Sequence, residues 1–494
     1  MLSRTAVMFT PAQMVRCREQ MTDFETQPQL KTAYKWPVFI LVTAGVFLST
    51  MDSSMVNVAL PSIMRSFSST LIQTQWVVLI YLLTITVSLL FWGITADHLG
   101  TNSVYLAGIG TFALGSVCCS LAPGLSWLIG FRFIEGLGAA MMMSAGPAII
   151  RDVFPRNSLG KALGLVGIAT SIGLMSGPVV SGFLISSYSW RAIFLVTLPV
   201  SSLVLITGFF VLIKKNVISA PGRNREFDWK GAFFWALLIS SIILYGHFLP
   251  ALSPPFKIIG FFLLLFLSVL FVWSEKTRKS TLLPLHLFAK NYYHIGLITA
   301  AISFATLFVV LILMPFYLDY IKGLSADLIG LVMMAVPVTL FVASPTSGLL
   351  YDRFGSRYLT TGGLLLSCAA LLLLTQLETG TSLIQISWRL SLLGLGQSIF
   401  LAPNTASLLT RSRDADAAVT SGLLATSRNL GMLVGAAFAG IVFAAWFGYF
   451  AGGTALRDFQ PEQAPSFMLA FRFTLFCTAL FSIAAAVISW QRER

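Results

Sequence analysis

Long apolar runs, each ended by a short cluster of charge, proline or glycine, pattern the chain from about residue 36 to residue 490. Roughly 20 apolar residues in a helix span the hydrocarbon core of a bilayer. The runs therefore predict membrane helices near 36–58, 74–95, 103–122, 126–150, 159–185 and 191–213. Two more are expected near 231–250 and 256–273. Six follow near 293–318, 326–350, 359–376, 382–407, 417–447 and 466–490, making fourteen.

Composition supports this reading. The 494 residues are 56% hydrophobic and only 10% charged, against roughly 25% charged in soluble domains. The chain is read as an all-α polytopic membrane protein, not a soluble enzyme. No apolar segment with a small-residue cleavage site stands at the start, so the first spanning helix is expected to act as an uncleaved anchor. Residues 1–30 read as a disordered tail, and Met21 would also serve as a start.

The net charge of +13 does not indicate nucleic-acid binding, because the basic residues sit in short loops and form no continuous face. Their distribution gives an orientation instead. One side carries the N-terminal tail and the richly basic loops around Arg151, Lys214 and Lys276. The loops of the other side hold only Arg65, Arg191, Lys257, Lys322 and Arg457. The positive-inside rule then predicts both termini in the cytoplasm of a multi-pass cytoplasmic-membrane protein.

Five cysteines and four histidines are scattered without ligand spacing, so no metal site or cofactor is expected. Cys118 and Cys119 read as small buried thiols. The Walker phosphate-loop pattern is absent, which leaves an ion gradient as the expected energy source.

An internal repeat organises the runs. "GITADHLG" from Gly93 and "GLLYDRFG" from Gly348 share Gly-x3-Asp-x2-Gly. "FRFIEGLG", containing Arg132, matches "WRLSLLGLG", containing Arg389, in an arginine followed by Gly-x-Gly. "GLMSGPVVSG" from Gly173 matches "GMLVGAAFAG" from Gly431 in Gly-x3-Gly-x4-Gly. These colinear matches lie at nearly one offset and relate helices 2, 4 and 5 to helices 10, 12 and 13. An even shift of eight helices keeps each copy's orientation, so two parallel six-helix halves are expected around an inserted helix pair. Carriers with parallel halves bind substrate between them and rock one half against the other. The resulting partition is a cytoplasmic tail (1–35), a six-helix bundle (36–213), a linker with two extra helices (214–292), a second bundle (293–490) and a cytoplasmic C-terminus (491–494).

At these residues the chain resembles the major facilitator superfamily, in its fourteen-helix drug:proton antiporter branch. "MDSSMVNVALP" (51–61) resembles the branch's helix 1 signature, "RFIEGLGAA" (132–140) its helix 4 motif, and "GLMSGPVVSG" (173–182) its helix 5 antiporter motif. "SWRAIF" (189–194) and "DWKGA" (228–232) are similar to the segments that follow. Two positions depart from the pattern. "GITADHLGTNS" has His98 where the family carries arginine and lacks the basic residues of its loop 2–3 motif. The second copy, "YDRFGSR", keeps Arg353 and Arg357. Glu135 stands where the family has glutamine.

Asp52 lies 16 residues into predicted helix 1, roughly 24 Å up at ~1.5 Å per residue. Arg132 lies six residues into predicted helix 4, roughly 9 Å below the outer face. In a core ~30 Å thick both occupy the outer half. Either charge alone would be costly in lipid, so a pair is expected. Its reading is proton coupling, in which Asp52 takes a proton from outside and loses Arg132; a static ion pair between two helices is the plainer alternative. Glu135, one turn from Arg132, either shares the guanidinium or substitutes passively for glutamine.

Gly93, Asp97, Gly173, Gly177, Pro178, Gly182, Gly348, Asp352 and Arg353 are the candidate gating and helix-packing residues. The glycines of 173–182 are expected to bring helix 5 close to a neighbour, bent at Pro178. Generic tight packing and, as the resemblance implies, a seal against leak both account for them. Asp319 reads as a solvated rim residue. Trp76, Tyr81 and Phe304 are candidate cavity linings; Arg428 either faces substrate or caps a neighbouring helix.

The expected function is export of small amphipathic or toxic compounds in exchange for protons, by alternating access. A dedicated importer or facilitator of one nutrient and a transport-inactive scaffold are the alternatives. The expected partners of this monomer are a small-molecule substrate, protons and the lipid bilayer, with room for a periplasmic adaptor and an outer-membrane channel.

Overall fold

Small residues recurring on the apolar helices dictate how they stack, since in lipid close backbone approach replaces the hydrophobic effect as the packing force. The computed structural model describes residues 11–154, 156–214, 229–249, 252–277, 288, 290–412 and 417–492; within them, the side chains of 11–33, 97, 156–161, 163, 164, 167, 168, 213, 214, 229, 352, 417 and 418 are not described. Among the described residues, fourteen helices are long and apolar enough to cross a membrane. In the first half these are α1 (Tyr34–Ser66), α2 (Leu71–Ala96), α3 (Thr101–Ser120), α4 (Leu125–Val153), α5 (Ala169–Ser187) and α6 (Ala192–Leu212). The inserted pair is α7 (Lys230–Phe248) and α8 (Pro254–Lys276). The second half comprises α9 (Asn291–Ile321), α10 (Ala326–Tyr351), α11 (Ser356–Leu374), α12 (Leu383–Thr410), α13 (Val419–Phe450) and α14 (Pro461–Trp490). The expected linker at 215–228 and 278–287 lies outside the described residues.

The helix that carries α1 begins at Pro11. Residues 11–33 hold no glycine and many straight-chain residues of high helix propensity, which favour continuation, although Pro28 lacks the backbone donor.

The halves repeat each other contact for contact. α1 packs on α5 as α9 packs on α13, and α4 packs on α2 and α3 as α12 packs on α10 and α11. The Gly-x-Gly of the repeat explains the second set. A side chain at Gly136 would strike Tyr81 and Thr84 of α2, and one at Gly394 would strike Val336 and Thr339 of α10. Two residues on, Gly138 meets Gly108 and Phe112 of α3, and Gly396 meets Gly363 and Ser367 of α11. One glycine of each pair admits each neighbour.

The two halves meet at the end opposite the chain termini. Gly330 of α10 lies on the Pro178 carbonyl of α5, and Gly182 on Ala326 and Asp327. On the other side of the pseudo-two-fold, Gly440 of α13 lies against Gln75, whose amide donates to the Ala436 carbonyl. α7 bridges this seam, with Trp235 Nε1 donating to the Thr86 carbonyl and Gly246 beside Ile441. At the terminal end, side chains added at Gly93, Gly348 or Gly422 would meet no atom within 4 Å.

Candidate functional site

The close approach of α2, α3 and α4 encloses the charged residues of the first half. Gly115 of α3 lies against the backbone of Glu135, and Gly136 against α2. Arg132 and Glu135, one turn apart on α4, thereby face inward toward α1. Arg132 Nη1 donates to Asp52 Oδ2 at 2.6 Å and to Glu135 Oε2 at 2.9 Å. Its Nε donates to the Val77 carbonyl of α2 at 3.1 Å, and its guanidinium carbon lies 4.1 Å from the centre of the Tyr81 ring. Asp52, Arg132 and Glu135 are each 0% exposed.

The cluster is unbalanced: two carboxylates share one guanidinium. Asp52 Oδ1 and Glu135 Oε1 are buried without a hydrogen-bond partner. Cys119 of α3 donates its thiol to Glu135 Oε2 at 3.4 Å, and the Tyr81 hydroxyl contacts the Ser49 carbonyl at 3.2 Å. In a low-dielectric interior a net charge of this kind is expensive. A proton is the smallest cation that would neutralise it.

The remaining candidates separate into distinct places. Gly173 lies against Phe47 and Thr50 of α1, and Gly177 against Met51 and Ser54, so both pack within the first half. Pro178 and Gly182 instead belong to the junction between halves. Gly93 and Gly348 were expected as gating and helix-packing glycines; in this conformation a side chain added at either would meet no atom within 4 Å. Arg353 is exposed beside Phe354, at 5.7 Å. The side chains of Asp97 and Asp352 lie outside the described residues.

The four cavity candidates do not line one surface. Trp76 Nε1 donates to His247 Nδ1 of α7 at 3.0 Å, which places Trp76 on the inserted pair. Tyr81 belongs to the Arg132 cluster. Arg428 and Phe304 do come together, 5.7 Å from guanidinium carbon to ring centre, and Arg428 Nη2 donates to Thr405 Oγ1 at 2.6 Å.

Asp319, expected as a solvated rim residue, forms an ion pair with Arg65 across the halves and is only 13% exposed. It sits in the wide π-turn Tyr317–Ile321 that ends α9, while Arg65 ends α1. α1 and α9 are repeat partners, so the two side chains flank the pseudo-two-fold axis. That equivalence was the available signal. The Cys119 contact had none beyond proximity to the Gly-x-Gly helix.

The family model of the Major Facilitator Superfamily matches residues 42–314 and 296–493. The chain belongs to this superfamily. Its members are transporters rather than enzymes, and this one is a multi-pass membrane carrier of small molecules. The chain is 32% identical to the riboflavin transporter RibZ of Clostridioides difficile over 83% of its own length and 88% of the relative's. It is 30% identical to the multidrug resistance protein Stp of Mycobacterium tuberculosis, strain CDC 1551 / Oshkosh, over 81% and 74% respectively. Among solved structures it shares its fold with a bacterial homologue of the human lysosomal transporter Spinster, crystallised in an inward-facing and unoccupied conformation. There the TM-score is 0.67 at 17% identity, covering 93% of this chain and 97% of that one.

Proposed function

We propose that this superfamily member exports small amphipathic compounds from the cytoplasm in exchange for protons, by alternating access, with both termini cytoplasmic. The observation that carries this reading is the sealed cluster of Asp52 and Glu135 on the single Arg132 guanidinium. With both acids ionised the cluster has one uncompensated negative charge inside a membrane bundle. Taking up one proton balances it; releasing that proton restores the tight grip of Arg132 on both acids. The cluster has two states of different charge, which an ion-driven carrier needs.

α1 supplies a route from that change to the gate. Asp52 and Arg65 are on the same helix, thirteen residues or about 20 Å apart at ~1.5 Å per residue. Arg65 reaches Asp319 across the halves, and Met51 and Ser54 seat the α5 glycines. Loosening of α1 from α4 is therefore felt at the junction with the second half. The basic loops on the terminal side support assigning the joined end to the exterior. The geometry then corresponds to a carrier closed outside and accessible from within.

Similarity to the multidrug resistance protein Stp supports the direction and breadth of transport. Similarity to RibZ favours a second reading, a dedicated carrier for one flat heteroaromatic solute. Everted membrane vesicles carrying the protein separate the two. Under an imposed inside-acid gradient, several unrelated amphipathic dyes should accumulate, and each should discharge the gradient on addition. Accumulation of riboflavin alone favours the second reading. Uptake indifferent to collapse of the gradient rules out proton exchange.

A further inference from the structure

The second half retains arginines in its interior without the acids of the first. Arg389 occupies the repeat position of Arg132, but the position of Glu135 becomes Leu392. The stacking of Gly431 on Ala301, as Gly173 stacks on Phe47, makes Thr306 the counterpart of Asp52. Every acid of this half lies at a helix end or in a loop. Arg428, by contrast, sits nine residues inside α13, about 14 Å from its terminal end at ~1.5 Å per residue.

The contacts of α13 fix where Arg428 points. Gly431 and Gly435 seat the helix on Ala301 and Ala305 of α9, while Ala436 and Gly440 face Gln75 of α2 in the other half. On a helix of 3.6 residues per turn, Arg428 projects between these two faces, toward the seam between the halves and on its unjoined side. The half-buried side chain crosses Phe304 of α9 and is held by Thr405 of α12. Its Nε has no hydrogen-bond partner, and among the described residues no carboxylate pairs with it.

We infer that Arg428 recognises an anionic group on the transported compound, so that the substrate class is amphipathic acids, an ionised carboxylate, sulfonate or phosphate on an aromatic or apolar body. The inference rests on the transport reading above. A guanidinium fork fixed at one nitrogen is well suited to an oxyanion, and Phe304 lies beside it for the apolar body. A permanent cation in a membrane interior also calls for a partner of opposite charge. The acids that could have recognised a cationic compound, Asp52 and Glu135, are fully enclosed in the other half and present nothing to the seam.

The test is equilibrium binding to the full chain in nanodiscs, followed by fluorescence anisotropy with three probes: 5-carboxyfluorescein (anionic), Nile red (neutral) and ethidium (cationic). The wild type should bind carboxyfluorescein more tightly than ethidium. Arg428→Gln should weaken carboxyfluorescein at least tenfold and leave Nile red within twofold, which also reports an intact fold; Arg428→Lys should recover part of the loss. Equal carboxyfluorescein affinity in wild type and Arg428→Gln, or preference for ethidium, would overturn the inference. Binding as predicted, but with no gradient-driven accumulation in everted vesicles, would remove the proton-exchange reading and leave the anion site standing.

Discussion

Replacing Arg132 by glutamine removes the one cation that holds two buried acids. Three hydrogen bonds end on this guanidinium, at 2.6, 2.9 and 3.1 Å, and all three participating side chains are shielded from water. Removing one partner of a buried ion pair costs about 3–5 kcal/mol, most of it the penalty of leaving the other charge uncompensated. Arg132→Gln should therefore lose about 3–5 kcal/mol of stability in equilibrium unfolding in mixed detergent micelles. The same reasoning predicts rescue. With Asp52→Asn and Glu135→Gln added, no charge remains, and the triple variant should recover at least half of the loss through neutral amide hydrogen bonds. Asp52→Asn with Glu135→Gln on intact Arg132 should be destabilised again, now by a lone cation. A loss below about 1 kcal/mol for Arg132→Gln would put the cluster in the range of solvated surface pairs. That result, or a triple variant no better than the single, would refute the account of the cluster as a desolvated charge site.

Two further predictions concern the junction between halves. Asp319→Asn removes the ion pair with Arg65, whose side chain is 54% exposed; partly solvated pairs contribute at most about 1 kcal/mol. The joined end should open about fivefold more often or less, measured as faster maleimide labelling of a Ser325→Cys reporter, and an unchanged rate would count against the pair as a gate. Gly330→Val would drive a side chain into the Pro178 carbonyl. Overpacking of about 1–3 kcal/mol should cut transport about tenfold or more without loss of expression.

The helices were legible because a bilayer permits few alternatives: backbone groups must be satisfied within each helix, so apolar length and loop charge carry the pattern. The repeat was legible because close helix approach requires glycine at fixed positions, and Gly136, Gly138, Gly173 and Gly177 all serve that purpose. The pairing of Asp52 with Arg132 followed from depth alone, since each needs the other in lipid. Contacts that depend on which way a side chain turns were not legible. Trp76 turned to His247 and Tyr81 to Arg132 rather than to one common surface, and aromatic residues carry no sign of direction in an apolar helix. Asp319 was misread because its partner stands some 250 residues away, at a helix end that resembles any solvated loop. Gly93 and Gly348 depend on conformation, and a sequence does not specify which end of a rocking carrier is drawn together.

The central claim is that Asp52 exchanges its proton in step with cargo. Substrate-driven proton release from proteoliposomes, compared between the wild type and Asp52→Asn with binding monitored in parallel, addresses it most directly. The wild type should release protons when an amphipathic substrate is added, and the variant should bind that substrate but release none. Undiminished proton release from Asp52→Asn would contradict the account.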